Sequence, residues 1–195
     1  PFTKLNLEKS IAEIKDRNIF KTVNYEISDG TEKNLKVIDI TVTEKPTGEI
    51  SAGAGFGTNG GTFAAGIKEN NWLGNGQTVA FNIDVDEESL SGVLRFTDPN
   101  YNFLGNSLSY AIASEDNDKP DQGYENSVIS AAIGTSFEQY KDVIASLGMS
   151  ASYDDLRTDS NASASLKKQS GNFSEISGNY GFTYDKRNRA FNRGL

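Results

Sequence analysis

Apolar and polar residues alternate with a period of two through most of the chain, from about residue 49 to residue 185. Such alternation predicts β-strands, because successive side chains of a strand point to opposite faces of the sheet. Eight strands are predicted, at residues 49–57, 62–70, 77–86, 89–97, 106–114, 127–137, 142–153 and 173–185. Their second face is mostly Ser, Gly, Ala, Thr and Asn, whereas soluble sheets usually carry Lys, Glu and Thr there.

The N-terminal segment follows a different pattern. Residues 6–17 place apolar side chains at helical spacing, with Asn6 as the predicted N-cap and Asn18 as the stop signal. Residues 22–27 and 35–42 alternate and are joined by a turn, which predicts a hairpin packed on the helix. One helix and one hairpin form a thin core, so we expect this unit to be the end of a larger domain.

A domain boundary is predicted at Pro46. Proline cannot donate a hydrogen bond to a central ladder, and Gly and Ser become common beyond it. We therefore predict an α+β unit over residues 1–46 and a β unit over residues 47–195.

The links between the predicted strands alternate between two compositions. Links after the even-numbered strands combine aromatic and turn residues, and links after the odd-numbered strands are polar and mostly acidic. The polar links include the two longest tracts, 115–126 and 154–172. Two link chemistries indicate that the two ends of the sheet face different surroundings, which is typical of outer-membrane β-barrels. A soluble β-sandwich is the alternative, but it gives no reason for this alternation.

Aromatic residues near the even-numbered links are predicted to anchor the sheet at a membrane interface, where amphipathic rings favour the headgroup level. They are Trp72, Tyr101, Phe103, Phe137, Tyr140 and Tyr184. Their alternative role is ordinary core packing.

Composition removes most catalytic chemistry. The 195 residues include no cysteine and no histidine, which excludes disulfides, thiolate or imidazole metal ligands, and Ser–His or Cys–His catalysis. The formal net charge of −8 argues against a nucleic-acid partner. We predict a non-enzymatic protein with no cofactor and no metal site.

Two local motifs have ordinary interpretations. Residues 55–60 have the spacing G-x-G-x-x-G of dinucleotide-binding loops, but a strand rather than a helix is predicted next, which favours a hairpin turn. Residues 116–121 have the oxygen spacing of part of a calcium loop, but Pro120 intrudes and no correctly spaced Glu follows. We interpret this acidic tract as a solvated surface loop.

Several segments, in their order along the chain, resemble the family of outer-membrane barrel-assembly factors. They are Asn18–Val23 (NIFKTV), Val42–Gly48 (VTEKPTG), Gly53–Gly57 (GAGFG), Asn71–Gln77 (NWLGNGQ), Phe96–Pro99 (FTDP) and Tyr184–Asn188 (YDKRN). Asn100 before Tyr101 departs slightly from the family pattern. Two-partner secretion transporters and the translocation-and-assembly paralogue share part of this set.

The resemblance implies a fold and a location. The chain would hold the end of the last periplasmic polypeptide-transport-associated (POTRA) module and the first half of an outer-membrane β-barrel, as a fragment of a longer protein. We expect a mainly β fold in which about eight meandering antiparallel strands form an open, curved sheet. The POTRA part would lie in the periplasm of a Gram-negative cell.

The resemblance also implies a function: insertion and folding of β-barrel precursor proteins, with accessory lipoproteins and the lipid bilayer as further partners. The first barrel strand is rich in glycine, which weakens strand pairing and leaves an edge open to a substrate strand. The predicted templating edge is Glu49, Ile50, Ser51, Ala52, Gly53, Ala54, Gly55, Phe56 and Gly57. The alternatives are a related outer-membrane polypeptide transporter and a soluble β-rich binding module.

Overall fold

The computed structural model describes residues 3–32, 35–57 and 60–184. The N-terminal unit contains helix α1 (Lys4–Asp16) and strands β1 (Phe20–Asp29) and β2 (Lys36–Glu44). The larger sheet contains β3 (Gly48–Gly57), β4 (Gly60–Trp72), β5 (Gln77–Asp86), β6 (Ser89–Asp98), β7 (Ser107–Lys119), β8 (Tyr124–Tyr140), β9 (Val143–Thr158) and β10 (Gly171–Tyr184). A short helix, α2 (Ala164–Gln169), lies between β9 and β10.

Helix α1 begins earlier than the sequence predicts. Its N-cap is Thr3, whose hydroxyl accepts a hydrogen bond from the Asn6 backbone N–H at 3.2 Å. The prediction of Asn6 as N-cap is therefore wrong, because Thr3 in an extended conformation caps the first turn. The predicted stop is confirmed: Asn18 follows the helix with φ of 57°, a left-handed conformation that asparagine tolerates.

The N-terminal unit has a small buried core. Leu7 and Ile11 of α1 pack on Val23 of β1, which confirms the predicted contact between helix and hairpin. The helix covers only part of the two-stranded sheet, since Ile40 and Val42 of β2 remain 44% and 41% exposed.

Strands β3 to β10 form one antiparallel sheet in which every strand pairs with its neighbours in sequence. The order runs from β3 at one edge to β10 at the other, so the sheet is open within the described residues. The mainly β, antiparallel open-sheet fold predicted from the alternation is confirmed. Each strand reverses direction, which places the starts of odd-numbered strands and the ends of even-numbered ones at a single rim. We call it the linker-side rim, because the linker from the N-terminal unit enters β3 there.

The predicted polar loops are shorter than expected. The tract 115–126 is mostly strand, because β7 and β8 continue pairing as far as Lys119 opposite Tyr124 and leave only residues 120–123 between them. The tract 154–172 contains the end of β9, α2 and the start of β10. Strand lengths of 10 to 17 residues accordingly exceed the predicted range.

The two motifs with nucleotide or calcium spacing are built into strands. After Gly57 the chain returns as β4 from Gly60, so a hairpin and not a helix follows the glycines. Asp116 and Asp118 lie in β7, not in a surface loop, and alternate with Asn117 across the sheet. Within the described ranges, no group of three or more acidic residues is arranged to hold a metal ion. The link 185–191 and the rest of the motif that begins at Tyr184 lie outside the described residues.

Candidate functional site: an open edge strand and an exposed apolar face

One face of the eight-stranded sheet carries most of the large apolar side chains of its strands. The pairing register places Phe81 beside Ile67 and Leu94, and Leu147 beside Tyr180. The same face carries Ile50, Phe56, Phe63, Ile83, Phe96, Tyr110, Ile112, Ile133, Met149, Ile176 and Phe182. We call this the outward face.

The outward face is exposed rather than packed. Phe81 is 45%, Leu147 52% and Phe182 69% exposed, and no second sheet packs against this face in the described part of the chain. An uncovered apolar surface of this extent is incompatible with water and fits hydrocarbon. A soluble sandwich would instead bury these side chains between two sheets, so the sandwich alternative is not the fold observed.

The opposite face is polar and small. The register aligns Ser51 with Gly66 and Asn82, and the Asn82 side chain lies over Gly66, which has no side chain to obstruct it. Lys68 lies on this face with its Nζ 4.0 Å from the Glu49 carboxylate. A polar, inward face of this kind is typical of a barrel lumen.

The apolar band has a definite height. On β9 the outward positions are apolar or aromatic from Ala145 to Tyr153, and then become Asp155 and Arg157. This stretch matches the roughly 9–11 residues that a tilted strand needs to cross the hydrocarbon core. The strands therefore extend beyond the band. The sequence analysis missed Tyr153 as a boundary residue, although the change from alternation to Asp154 and Asp155 marks it.

The structure brings the predicted aromatic anchors together at the linker-side rim. Trp72 ends β4, Phe137 and Tyr140 lie near the end of β8, and Tyr184 ends β10. Tyr101 and Phe103 lie in the turn between β6 and β7, with Phe103 89% exposed. These residues come from four separate parts of the chain, and the meander alone places them at one level.

Asparagine side chains shape two of these turns. The Asn71 side chain accepts the Gly76 N–H at 2.8 Å, and the Asn100 side chain accepts the Gly105 N–H at 2.7 Å. In the first turn Leu73 and Gly74 both have positive φ, which a tight reversal requires. The turns hold Trp72 in place by local backbone geometry.

The predicted templating strand, β3, lies at one edge of the sheet and pairs with β4 alone within the described residues. Ile50 is 84% and Phe56 95% exposed, and the residues between them are Ser, Ala and Gly. The strand carries none of the usual edge protection: it has no proline and no bulge, and its one charged residue, Glu49, lies near its start. Its outer N–H and C=O groups are accessible to another strand.

The sequence analysis missed a cluster of hydrogen bonds where the linker enters β3. The Thr47 hydroxyl donates to the Glu69 carboxylate, which also accepts the Asn71 backbone N–H at 2.8 Å. The Asn70 side-chain amide donates to the Thr47 carbonyl at 3.2 Å and to the Glu49 carboxylate at 2.9 Å. The only signal in the sequence was the end of the alternation at residues 69–71.

No helix in the described part of the chain is long and apolar enough to span a membrane. The arrangement that remains is a sheet with one apolar and one polar face, an aromatic rim and an open edge. This combination defines the class of outer-membrane β-barrel proteins, in which lipid-facing and lumen-facing residues alternate.

The comparisons with known proteins narrow that class. A model of the Omp85 superfamily domain matches residues 71–193, and the chain belongs to the Omp85 superfamily. It is 26% identical over 152 residues to the outer membrane protein assembly factor BamA of Neisseria meningitidis serogroup B, a match that covers 76% of this chain and 18% of that protein. The family resemblance drawn from the motifs is confirmed.

A solved structure shows the same fold. The crystal structure of BamA from Haemophilus ducreyi lacking POTRA domains 1-3 superposes with a TM-score of 0.72 at 22% sequence identity. The match covers 94% of this chain and 38% of that chain. The chain thus spans well under half the length of these relatives, and it is an outer-membrane β-barrel protein of their superfamily.

Proposed function

We propose that the protein containing this chain is an outer-membrane insertase that folds and inserts β-barrel precursors through the edge of β3. The observation that supports the proposal is the exposed, unprotected edge of β3 in a sheet whose outward face is apolar. An edge strand offers unpaired N–H and C=O groups, and an incoming strand binds them by β-augmentation.

The composition of β3 suits a transient template. Ser51 to Gly57 include three glycines and two alanines, so the strand buries little side-chain area against any partner. Glycine also loses more conformational entropy on ordering than other residues. A strand of this kind pairs weakly through its backbone, which allows a substrate strand to bind and later to leave.

The remaining assignments complete the proposal. Residues 1–46 form the end of a POTRA module in the periplasm, and residues 47–195 form the first half of the barrel in the outer membrane. The partners are unfolded outer-membrane β-barrel precursors, accessory lipoproteins and the lipid bilayer. The protein works without enzymatic chemistry, through hydrogen bonding and lipid contact alone.

Proline substitution tests the template. Adjacent residues of an antiparallel strand direct their N–H groups to opposite sides, so Gly53→Pro and Ala54→Pro remove one donor from the free edge and one from the ladder with β4. We expect both variants to slow the folding of a small barrel precursor into vesicles that contain the full-length protein, measured by heat-modifiable gel mobility. Loss of one hydrogen bond predicts a fall of up to about tenfold.

The control is Ala54→Ser, which keeps the backbone donor and a small side chain at the same place. It should assemble precursors at the unaltered rate. Wild-type rates in both proline variants would contradict the templating role of β3. Transport of a soluble polypeptide without any precursor insertion would favour the transporter alternative.

A further inference from the structure

The side chains of β3 do not specify its own register against β4. From Ala52 the strand reads Ala, Gly, Ala, Gly, Phe, Gly, so a shift of two residues puts glycine in place of glycine and keeps each residue on the same face. Only small residues lie opposite most of this stretch, among them Ala64, Ala65 and Gly61. Glycine-rich strands are prone to such slippage.

The observed register nevertheless continues without a bulge from Gly48 opposite Glu69 to Gly57 opposite Gly60. The side-chain hydrogen bonds that tie β3 and its linker to β4 are concentrated at the linker-side end. They comprise the bond from Thr47 to Glu69 and the two bonds donated by the Asn70 amide. Glu69 and Asn70 are both half-buried, so these bonds are partly shielded from water.

The far end of β3 has weaker ties among the described residues. The Thr62 hydroxyl reaches the Gly55 carbonyl at 3.4 Å, and the Gly61 N–H reaches the Glu87 carboxylate, on the next turn, at 3.4 Å. Both distances lie beyond the usual range for strong hydrogen bonds. The strand is thus held firmly at one end.

We propose that Thr47, Glu69 and Asn70 form a register latch that fixes which residues of β3 lie opposite β4. The inference rests on the proposed function, because a template must itself be in register to set the register of the strand it receives. The latch adds positioning residues on β4 and the linker to the templating strand.

The latch is also connected to the N-terminal unit. Lys45, two residues before Thr47, donates its backbone N–H to the Ile19 carbonyl at 3.2 Å and its Nζ to the Asn18 side chain at 2.6 Å. The linker is therefore fastened at both ends, to the turn after α1 and to the end of β4. Displacement of the N-terminal unit would be transmitted first to the latch.

Disulfide trapping measures the register directly, because the chain has no native cysteine to interfere. Cysteines at Ala52 and Ala65 report the observed register, in which these residues are paired. Cysteines at Ala54 and Ala65 report a shift of two residues. In the observed register this second pair is diagonal, about 7–8 Å apart, and too distant for an unstrained disulfide.

The experiment compares the two cysteine pairs in the full-length protein in vesicles, with and without Glu69→Gln plus Asn70→Ala. With the latch intact, the Ala52–Ala65 pair should form the disulfide and the Ala54–Ala65 pair should not. Without the latch, we expect the yield of the Ala54–Ala65 disulfide to rise by about tenfold, the change that one lost hydrogen bond can produce.

Three further variants make the result specific. Thr47→Val removes the hydroxyl at nearly constant volume and should also raise the shifted yield, and it serves if the double variant fails to fold. Thr47→Ser restores the hydroxyl and should restore the observed register. Thr62→Ala removes the weak bond at the far end and should leave both yields unchanged.

An unchanged register in both the double variant and Thr47→Val would overturn the latch. That result leaves the proline test of β3 unaffected, so the templating function would stand. A shifted register together with unaltered precursor folding would support the latch and count against templating by β3. The two proposals therefore fail under different observations.

Discussion

The N-terminal unit and the eight-stranded sheet place their apolar side chains in opposite ways. In the N-terminal unit Leu7 and Ile11 are 6% and 5% exposed, and the helix covers them against Val23. In the sheet, Phe81 and Leu147 are about half exposed, and nothing covers them among the described residues.

The difference shows which solvent each region is built for. The N-terminal unit folds by removing apolar area from water, as a soluble domain does. The sheet has no interior of that kind, and its strands are held by backbone pairing while lipid covers the outward side chains. One chain therefore has two different sources of stability, and the same substitution should have different effects in the two regions.

The largest contrast is expected from cavity formation. Ile11→Ala should reduce the local unfolding free energy of the N-terminal unit by about 2–5 kcal/mol, because packed neighbours cannot fill the space. Leu94→Ala on the outward face should have a much smaller effect, because lipid chains fill the gap. Hydrogen exchange of the two regions in vesicles measures both changes. Equal losses at both positions would mean that Leu94 is packed against protein.

Charge on the outward face should be nearly as costly. Leu94→Arg should destabilise the sheet by about 2–4 kcal/mol, the penalty for arginine at the bilayer midplane. Its neighbour Val93 points inward, and Arg95 already occupies the next inward position, so Val93→Arg is the matched control. Denaturant unfolding in vesicles gives both values. A reversed ranking would show that the two faces have been assigned the wrong way round.

Loss of the helix cap should have a moderate effect confined to the N-terminal unit. Thr3→Ala removes the acceptor for the Asn6 N–H and should reduce the protection of the first turn of α1 by about 1 kcal/mol. Thr3→Ser keeps the hydroxyl and should preserve it. Hydrogen exchange in the sheet should be unaffected, and a change there would indicate that the two regions unfold together.

The smallest effect should come from pH. A hydrogen bond from Lys36, supported by its charge, holds the pKa of Asp29 below its usual value of 3.8. A lowered folded-state pKa gives stability that is present above about pH 3.8 and is lost as the pH falls through the folded value. Because the pair is exposed, we expect only slight loosening of the β1–β2 hairpin in acid.

Asp29→Asn provides the control for this titration. In that variant the exchange rates of the hairpin amides should no longer depend on pH beyond the intrinsic chemical rate. A dependence equal to that of the unaltered chain would assign the effect to another carboxylate.

Much of the strand pattern was predictable from local alternation. The predicted strand 77–86 coincides with β5, where Val79, Phe81, Ile83 and Val85 alternate with polar residues. The end of β7 was not predictable, because its outward positions become Asp116 and Asp118 above the apolar band. Long-range contacts hold that extension, including pairing with β8 and a bond from the Asp118 N–H to the Glu88 carbonyl at 2.8 Å.

The candidate site divides in the same way. The glycine content of β3 identified a weak edge from the sequence, and the aromatic residues beside turns identified a rim. The bonds of Glu69 and Asn70 to Thr47 were not predictable, since they join residues that are 22 and 23 positions apart. No local period reports a contact of that kind.

The sequence by itself determined which side chains share a face, because a strand has a period of two whatever surrounds it. It also determined where one folding regime ends and the other begins, since proline and glycine interrupt local pairing near residue 46. Only the tertiary structure decided that the apolar face stays uncovered, how far the strands continue, and which residues hold β3 in register. These features depend on pairing between distant segments, whose free energy is set by geometry that no short window of sequence contains.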